Sequence, residues 1–170
     1  MNEPSSSSTY LGFGFAGLSS LHEEICRPFT EMTVTLDRVR TPTELVLWRK
    51  DDTGLKIRSK MHDLAEKVEV GILQFATTTR TNEIEPDGYW ETAERFSAKV
   101  FDGPNSISKL VVDESGYSCE SGILVTSISG KELVVVADVF PCHIAVLGIE
   151  GLSSASKPEY GMARYRRIDW

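Results

Sequence analysis

GILVTSISGKELVVVADVFPCHIAVLGIEG, residues 122–151, contains the most apolar stretch of the chain, and the predicted fold class depends on it. Ser129-Gly130 is typical of a short hairpin turn between two apolar runs. A two-residue loop at this point predicts that Val125 lies opposite Val134. Both faces of the resulting ribbon are apolar, so we expect it to be central in a sheet and covered on both sides.

The rest of the chain predicts more strands than helices. Apolar and polar residues alternate through residues 30–38, and residues 43–50 and 55–60 flank the turn sequence Asp51-Asp52-Thr53-Gly54. Further strands are predicted at residues 70–77, 89–101, 107–112, 143–149 and 163–168. The pattern favours a mainly β fold, an antiparallel β-barrel or β-sandwich with one or two short helices.

Two segments carry helical signals. Ser20 and Glu23 have the spacing of a capping box, and Arg27-Pro28 predicts the end of that helix. The spacing of Met61, Leu64, Ala65 and Val68 predicts a second short helix.

Length and charge limit the classes of function. A chain of 170 residues fits one domain, which we place at residues 10–170 after a flexible Ser-rich tail at 1–9. The net charge of −7 argues against binding to nucleic acid or to an anionic membrane surface, because both need a basic protein. Three widely spaced cysteines, and an N-terminus without the features of a signal peptide, predict free thiols and a cytoplasmic location.

Cys142 and His143 are the first candidates for chemistry. Pro141 lacks a ladder N–H and predicts a bend or a strand end just before them. Neighbouring side chains on a strand point to opposite faces, so these two cannot act together as nucleophile and base. We therefore predict that Cys142 is buried and unreactive, and that His143 finds a hydrogen bond elsewhere.

Two other motifs are incomplete. His22 and Cys26 share one face of the predicted helix, but two ligands do not make a zinc site, so we predict no metal. Residues 12–17 match GxGxxG without the preceding strand that a dinucleotide site needs, and we predict that Phe13 and Phe15 pack into the core. No catalytic residue and no cofactor are predicted.

Acidic residues concentrate in one half of the chain. Residues 82–150 hold twelve acidic and four basic side chains, a formal charge of −8. Inside this half, a polar segment combines acids with two large aromatics, which suits a protein-binding patch. The predicted partner-binding residues are Glu83, Glu85, Asp87, Tyr89 and Trp90. By contrast, Arg164, Arg166 and Arg167 are expected to form internal ion pairs.

Three functions remain open from the sequence. The leading hypothesis is a non-enzymatic protein-interaction domain that presents an acidic surface to a protein partner. One version of it neutralises a basic protein, as an immunity protein does. The alternative is a small β-barrel that binds an apolar small molecule, with a Cys/His-dependent activity inside it. The third is an assembly subunit that pairs through exposed edge strands. The oligomeric state is not predicted.

Overall fold

The structure is a computed structural model that describes residues 8–65, 68–82, 92–97, 103–138, 140–153 and 157–170. Within these ranges the chain is mainly β, with one α-helix, α1 (Leu21–Cys26), and 3-10 turns at Arg80–Asn82 and Met162–Arg164. The described strands are β1 (Thr9–Leu11), β2 (Gly14–Ala16), β3 (Glu31–Leu36), β4 (Pro42–Trp48), β5 (Thr53–Ala65), β6 (Val68–Thr79), β7 (Thr92–Ser97), β8 (Pro104–Glu114), β9 (Tyr117–Ser127), β10 (Glu132–Ala137), β11 (Ile144–Leu147) and β12 (Arg166–Asp169).

These strands form two sheets, each mostly antiparallel. Sheet 1 has the order β11-β10-β9-β8-β12, and β1 adds to β9 in parallel. Sheet 2 has the order β2-β6-β5-β4-β3-β7, with β2 parallel to β6. The strands at the ends of the two orders have three to six residues, so the described edges are short. Short edges limit pairing with another chain, and the assembly hypothesis gains no support from them.

The largest buried cluster draws on both sheets. Its members include Leu45 and Leu73 from sheet 2 and Ile123, Val135 and Ile144 from sheet 1. The opposite face of sheet 1 carries a second buried cluster that includes Leu124 and Val136. The β9–β10 ribbon is therefore covered on both faces, which confirms the prediction made from its two apolar faces.

Several local predictions are confirmed. Ser20 caps α1 with a complete capping box, and Arg27 ends the helix in an extended conformation, as the following proline requires. Every second residue of β3 is buried, so the alternation marks one inward face. Phe13 and Phe15 pack against the main cluster, as predicted.

The predicted helix around residues 61–68 is wrong. Strand β5 continues to Ala65 and pairs with β6 along its length. The register shifts between Asp63 and Ala65, and this irregularity interrupts the period of two. An interrupted alternation places apolar residues at spacings that resemble a helix, which explains the error.

The predicted register of the β9–β10 hairpin is also wrong by one residue. Val125 lies opposite Leu133, and Val134 lies opposite Leu124. The loop has three residues because Ser127 N–H bonds to Lys131 O at 2.8 Å and Gly130 takes a positive φ of 82°. Such a left-handed residue is what closes a three-residue hairpin loop.

The chain before α1 crosses from one sheet to the other. Thr9 begins β1, although the sequence places it in the tail; residues 1–7 of that tail lie outside the described residues. After β1 the chain passes Gly12 and Phe13 and then adds β2 to sheet 2. We call residues 9–16 the crossing segment. That residues 10–170 form one domain stays a prediction.

Candidate functional site

The predicted partner-binding segment lies outside the described residues, which include none of Glu83, Glu85, Asp87, Tyr89 and Trp90. The residues that flank it are described. On its N-terminal side, Arg80 pairs with Glu31 and Asp52, both at 3.0 Å, and its guanidinium lies 4.5 Å from the centre of the Trp48 ring. On its C-terminal side, Thr92 pairs with Leu36 in the β3–β7 ladder. Both attachment points are therefore held by sheet 2.

Asp37 follows Leu36 and organises the turn between β3 and β4. Its Oδ1 accepts hydrogen bonds from the backbone N–H of Val39 at 3.0 Å and of Thr41 at 2.8 Å. Its Oδ2 lies 3.2 Å from Nε2 of His143, which precedes β11 in sheet 1. One carboxylate thus shapes a turn of sheet 2 and joins it to sheet 1.

Asp37 lies at ion-pair distance from Nε2 of the His143 ring. The Nδ1 atom is buried, with no hydrogen-bond partner among the described residues. The imidazole contacts Asp37 and not Cys142, whereas the predicted hydrogen bond of His143 stays a prediction.

Cys142 contradicts its prediction, because it is exposed. Residues 140–142 form a turn rather than a strand, and Cys142 takes a left-handed φ of 64°. β10 ends at Ala137 and β11 begins at Ile144, so Cys142 lies in the turn between them rather than in a strand packed on the core. No described hydrogen bond joins Cys142 to the imidazole.

Two exposed apolar side chains border the Asp37–His143 contact. Phe140 is 60% exposed and its ring centre lies 6.1 Å from that of His143. Val39 is 68% exposed, and its backbone is bonded to Asp37. We call these four residues, Asp37, Val39, Phe140 and His143, the Asp37 corner. Two turns that are distant in the chain bring these four side chains together, so the sequence does not reveal the corner. The local signal in the sequence is the Asx turn that an aspartate at position 37 can form.

His22 and Cys26 project from one face of α1, as predicted. The sulfur lies 3.7 Å from Nε2 and 3.9 Å from Nδ1 of the ring. Nε2 is also 3.3 Å from the backbone oxygen of Trp170. Within the described ranges no group of three or more His, Cys, Asp or Glu residues is arranged to hold a metal ion.

Most charged side chains of the described residues take part in ion pairs. Arg164 pairs with Glu114 and Arg166 with Asp113, both at 2.9 Å, and Arg167 lies 3.4 Å from Asp169. The prediction that these arginines form internal pairs is confirmed. The described ranges hold 18 acidic and 16 basic side chains, a formal charge of −2 out of −7 for the chain.

A surface groove of about 430 Å³ lies at the end of the β10–β11 pair. Lys131, Glu132, Gly148, Ile149 and Glu150 line it, and it opens broadly to solvent. Neither His143 nor Cys142 belongs to its wall. The groove therefore differs from the enclosed apolar cavity that the ligand-binding alternative requires.

The chain matches no protein-family model, no curated protein and no solved structure. In the described part of the chain, no helix is long and apolar enough to cross a membrane.

Proposed function

We propose that this protein is a non-enzymatic interaction domain that binds a basic protein partner, in the manner of an immunity protein that neutralises a toxin. The observation that carries the proposal is the distribution of charge. The described body is close to neutral, whereas residues 83–91 hold four acids and no base. Unbalanced charge in one short segment favours steering of an oppositely charged partner.

The attachment of this segment supports a contact surface. Thr92 follows the segment directly and lies opposite Leu36, the residue before Asp37. The segment thus joins the body beside the exposed Val39 and Phe140 of the Asp37 corner. Apolar anchors next to acidic residues combine buried area with electrostatic steering, which is the common composition of a protein-binding site.

We further infer that the two sheets form a sandwich rather than a closed barrel. Each sheet presents one face to the shared core, and the described pairing gives each sheet its own edge strands. A sandwich presents loops at its ends for binding, which suits the Asp37 corner.

The test begins with capture of a partner from the source cells by the tagged protein. Association and dissociation are then measured with the purified partner. Changing Glu83, Glu85 and Asp87 together to the neutral Gln, Gln and Asn is expected to slow association, most strongly at low salt, because screening shortens the reach of the charges. The matched control changes Glu69, Glu132 and Glu150 to Gln, which removes the same charge from exposed positions of the body.

Trp90→Ala separates contact from steering. We expect faster dissociation and an affinity loss of about 2 kcal/mol, the size of a typical hot-spot effect. The melting temperature of this variant is measured in parallel, since a large drop would mean that Trp90 supports the fold. A captured partner that is acidic, or equal slowing by both triple variants, would contradict the proposal.

A further inference from the structure

Residues 157–165 form a cover over the outer face of sheet 1. They contribute Tyr165, which is 8% exposed, to the cluster on the face away from the inter-sheet core, and Tyr160 packs against the same cluster. The other members of that cluster are apolar side chains of the sheet: Leu110, Val112, Leu124, Val136 and Ala145. Tyr160 also packs on the cluster that contains Cys119. We call residues 157–165 the cover segment.

Glu159 ties the cover segment to both sheets. Its backbone N–H donates to Ala137 O of β10 at 3.0 Å, beside the bridge between Pro158 and Asp138. Its carboxylate accepts the backbone N–H of Gly71, on β6 of sheet 2, at 3.2 Å. The sheets approach so closely there that a Cβ on Gly71 would lie 2.3 Å from Cβ of Ala137.

The surroundings of this carboxylate are unfavourable for a negative charge. The acidic groups that interact with it are Asp138 at the end of β10, Glu114 of β8 and Glu69 of β6. The other titratable neighbours are Cys119, Tyr160 and Tyr165, which are neutral near pH 7. Arg164, on the cover segment itself, pairs with Glu114 and lies over the Tyr160 ring.

A hydroxyl without a partner faces the same place. Ser59 is 7% exposed, and its Oγ has no hydrogen-bond partner among the described residues. A Cβ on Gly71 would lie 3.1 Å from this Oγ and 3.2 Å from Oε2 of Glu159. Both oxygens therefore lie close to Gly71, so a buried hydroxyl without a partner in the described part of the chain adds to the poorly solvated surroundings of the carboxylate.

We propose that the cover segment is a pH-controlled lid, closed firmly when Glu159 is protonated and released more readily when Glu159 is ionised. Burial raises the pKa of Glu159, repulsion by Asp138, Glu114 and Glu69 raises it further, and the bond from Gly71 opposes the rise. A raised pKa in the closed state means that closure is strongest below the ordinary Glu value of 4.5. Closure then weakens as the pH rises through the pKa of the closed state.

Cys119 supplies a probe for opening. It is fully buried, belongs to the cluster on which Tyr160 packs, and has a pKa raised to about 11 by burial. In a Cys26→Ser, Cys142→Ser background it is the single thiol of the chain. Its labelling by a soluble thiol reagent then reports how often the cover segment opens. Comparing variants at one pH cancels the pH dependence of the thiol chemistry itself.

The experiment compares Glu159→Gln with the parent between pH 5 and 8. Gln keeps an acceptor for Gly71 N–H and stays neutral, so it imitates the protonated acid. We expect slower labelling of Cys119 in the Gln variant than in the parent, and the ratio of the parent rate to the variant rate should grow as the pH rises. Each unit by which the pKa of Glu159 differs between the closed and the open state corresponds to about a tenfold ratio of these rates at the high-pH plateau. Glu132→Gln, which removes one exposed charge elsewhere, is expected to label like the parent.

Two further measurements separate the lid from general stability. Glu159→Ala removes the acceptor for the Gly71 N–H, so labelling should be faster than in the Gln variant. The ratio of the labelling rates of these two variants should not change with pH. Hydrogen exchange in the Gln variant should slow more at the amide of residue 159 than at the core amide of Val135. Equal labelling by parent and Gln variant at every pH, equal slowing by Glu132→Gln, or equal slowing at both amides would overturn the proposal.

Discussion

Glu24 is the residue whose environment departs most from its local sequence. Two adjacent acids at a helix start are typical of a solvated surface, yet Glu24 is 7% exposed. Arg49, itself 6% exposed, donates to Glu24 Oε2 at 2.6 Å and to its backbone oxygen at 2.8 Å. Burial alone would raise the pKa of Glu24, but the hydrogen bond from Ser19 and the charges of Arg49 and Arg27 lower it below the usual value.

Replacing Arg49 with Met leaves a buried carboxylate without its main partner. We expect a loss of about 3–5 kcal/mol in the free energy of unfolding, measured by urea denaturation at pH 7. Arg27→Met is the control, because Arg27 also contacts Glu24, at 3.5 Å, but is 45% exposed; its cost should stay within about 1 kcal/mol. Similar losses for the two variants would show that the buried pair has no special role.

The same pair predicts an acid-sensitive contribution to stability. The pKa of Glu24 is lower in the folded state than the ordinary 4.5, so its ionised form is favoured by folding. That contribution is complete above the unfolded pKa and is lost as the pH falls through the folded pKa. Urea midpoints of the wild type from pH 6 down to 2 should fall more steeply than those of Glu24→Gln.

At the scale of elements, the turn between β8 and β9 is built from two left-handed residues. Ser115 has φ 50° and Gly116 has φ 80°, which is the pattern of a type I′ hairpin turn. Nothing lies within 4 Å of a Cβ placed on Gly116. Any effect of a methyl group there is therefore conformational rather than steric against neighbours.

Gly116→Ala is expected to reduce the free energy of unfolding by roughly 1–2 kcal/mol, the cost of holding a residue with a side chain in the left-handed region. Gly161→Ala is the matched control. Its Cβ also meets nothing within 4 Å, and its φ is −56°, which any residue adopts. Thermal melting of both proteins compares them; a control as destabilised as Gly116→Ala would refute the backbone argument.

At the scale of the molecule, the crossing segment holds the two sheets together through one buried acid. Glu120 of β9 is 2% exposed and accepts the Tyr10 hydroxyl and the Phe13 N–H, both at 2.6 Å. It also pairs with Lys109, whose ammonium lies 4.5 Å from the centre of a Trp170 ring. A carboxylate on sheet 1 thus positions the chain just before β2 joins sheet 2.

Glu120→Ala should release the crossing segment and leave Lys109 without its anion. We expect a loss of roughly 3 kcal/mol, because Lys109, whose side chain is only 21% exposed, is then left without its anion. Hydrogen exchange should accelerate first at the amides of β2. Tyr10→Phe, which removes only one hydrogen bond, should cost about 1 kcal/mol and leave β2 protected. Unchanged exchange in β2 after Glu120→Ala would contradict this role.

Features of this protein that depend on neighbours along the chain could be predicted from the amino-acid sequence. The capping box of Ser20, the stop at Pro28 and the alternation of residues 31–36 each involve contacts within a few residues. These features are caused by local hydrogen bonds and by the alternation of side chains along a strand, and both can be inferred from the amino-acid sequence. The burial of both faces of the β9–β10 ribbon was predictable for the same reason, since two apolar faces require cover on both sides.

Tertiary structure decided the rest, because the deciding contacts join residues far apart in the chain. The shift between Asp63 and Ala65 is defined by pairing with β6, and it gave a strand the spacing of a helix. The burial of Glu24 depends on Arg49, and the position of His143 depends on Asp37, more than 100 residues away. Cys142 is exposed because it lies in the turn between β10 and β11. Long-range pairing and turn geometry have no local signature, so only the folded chain brings these groups together or apart.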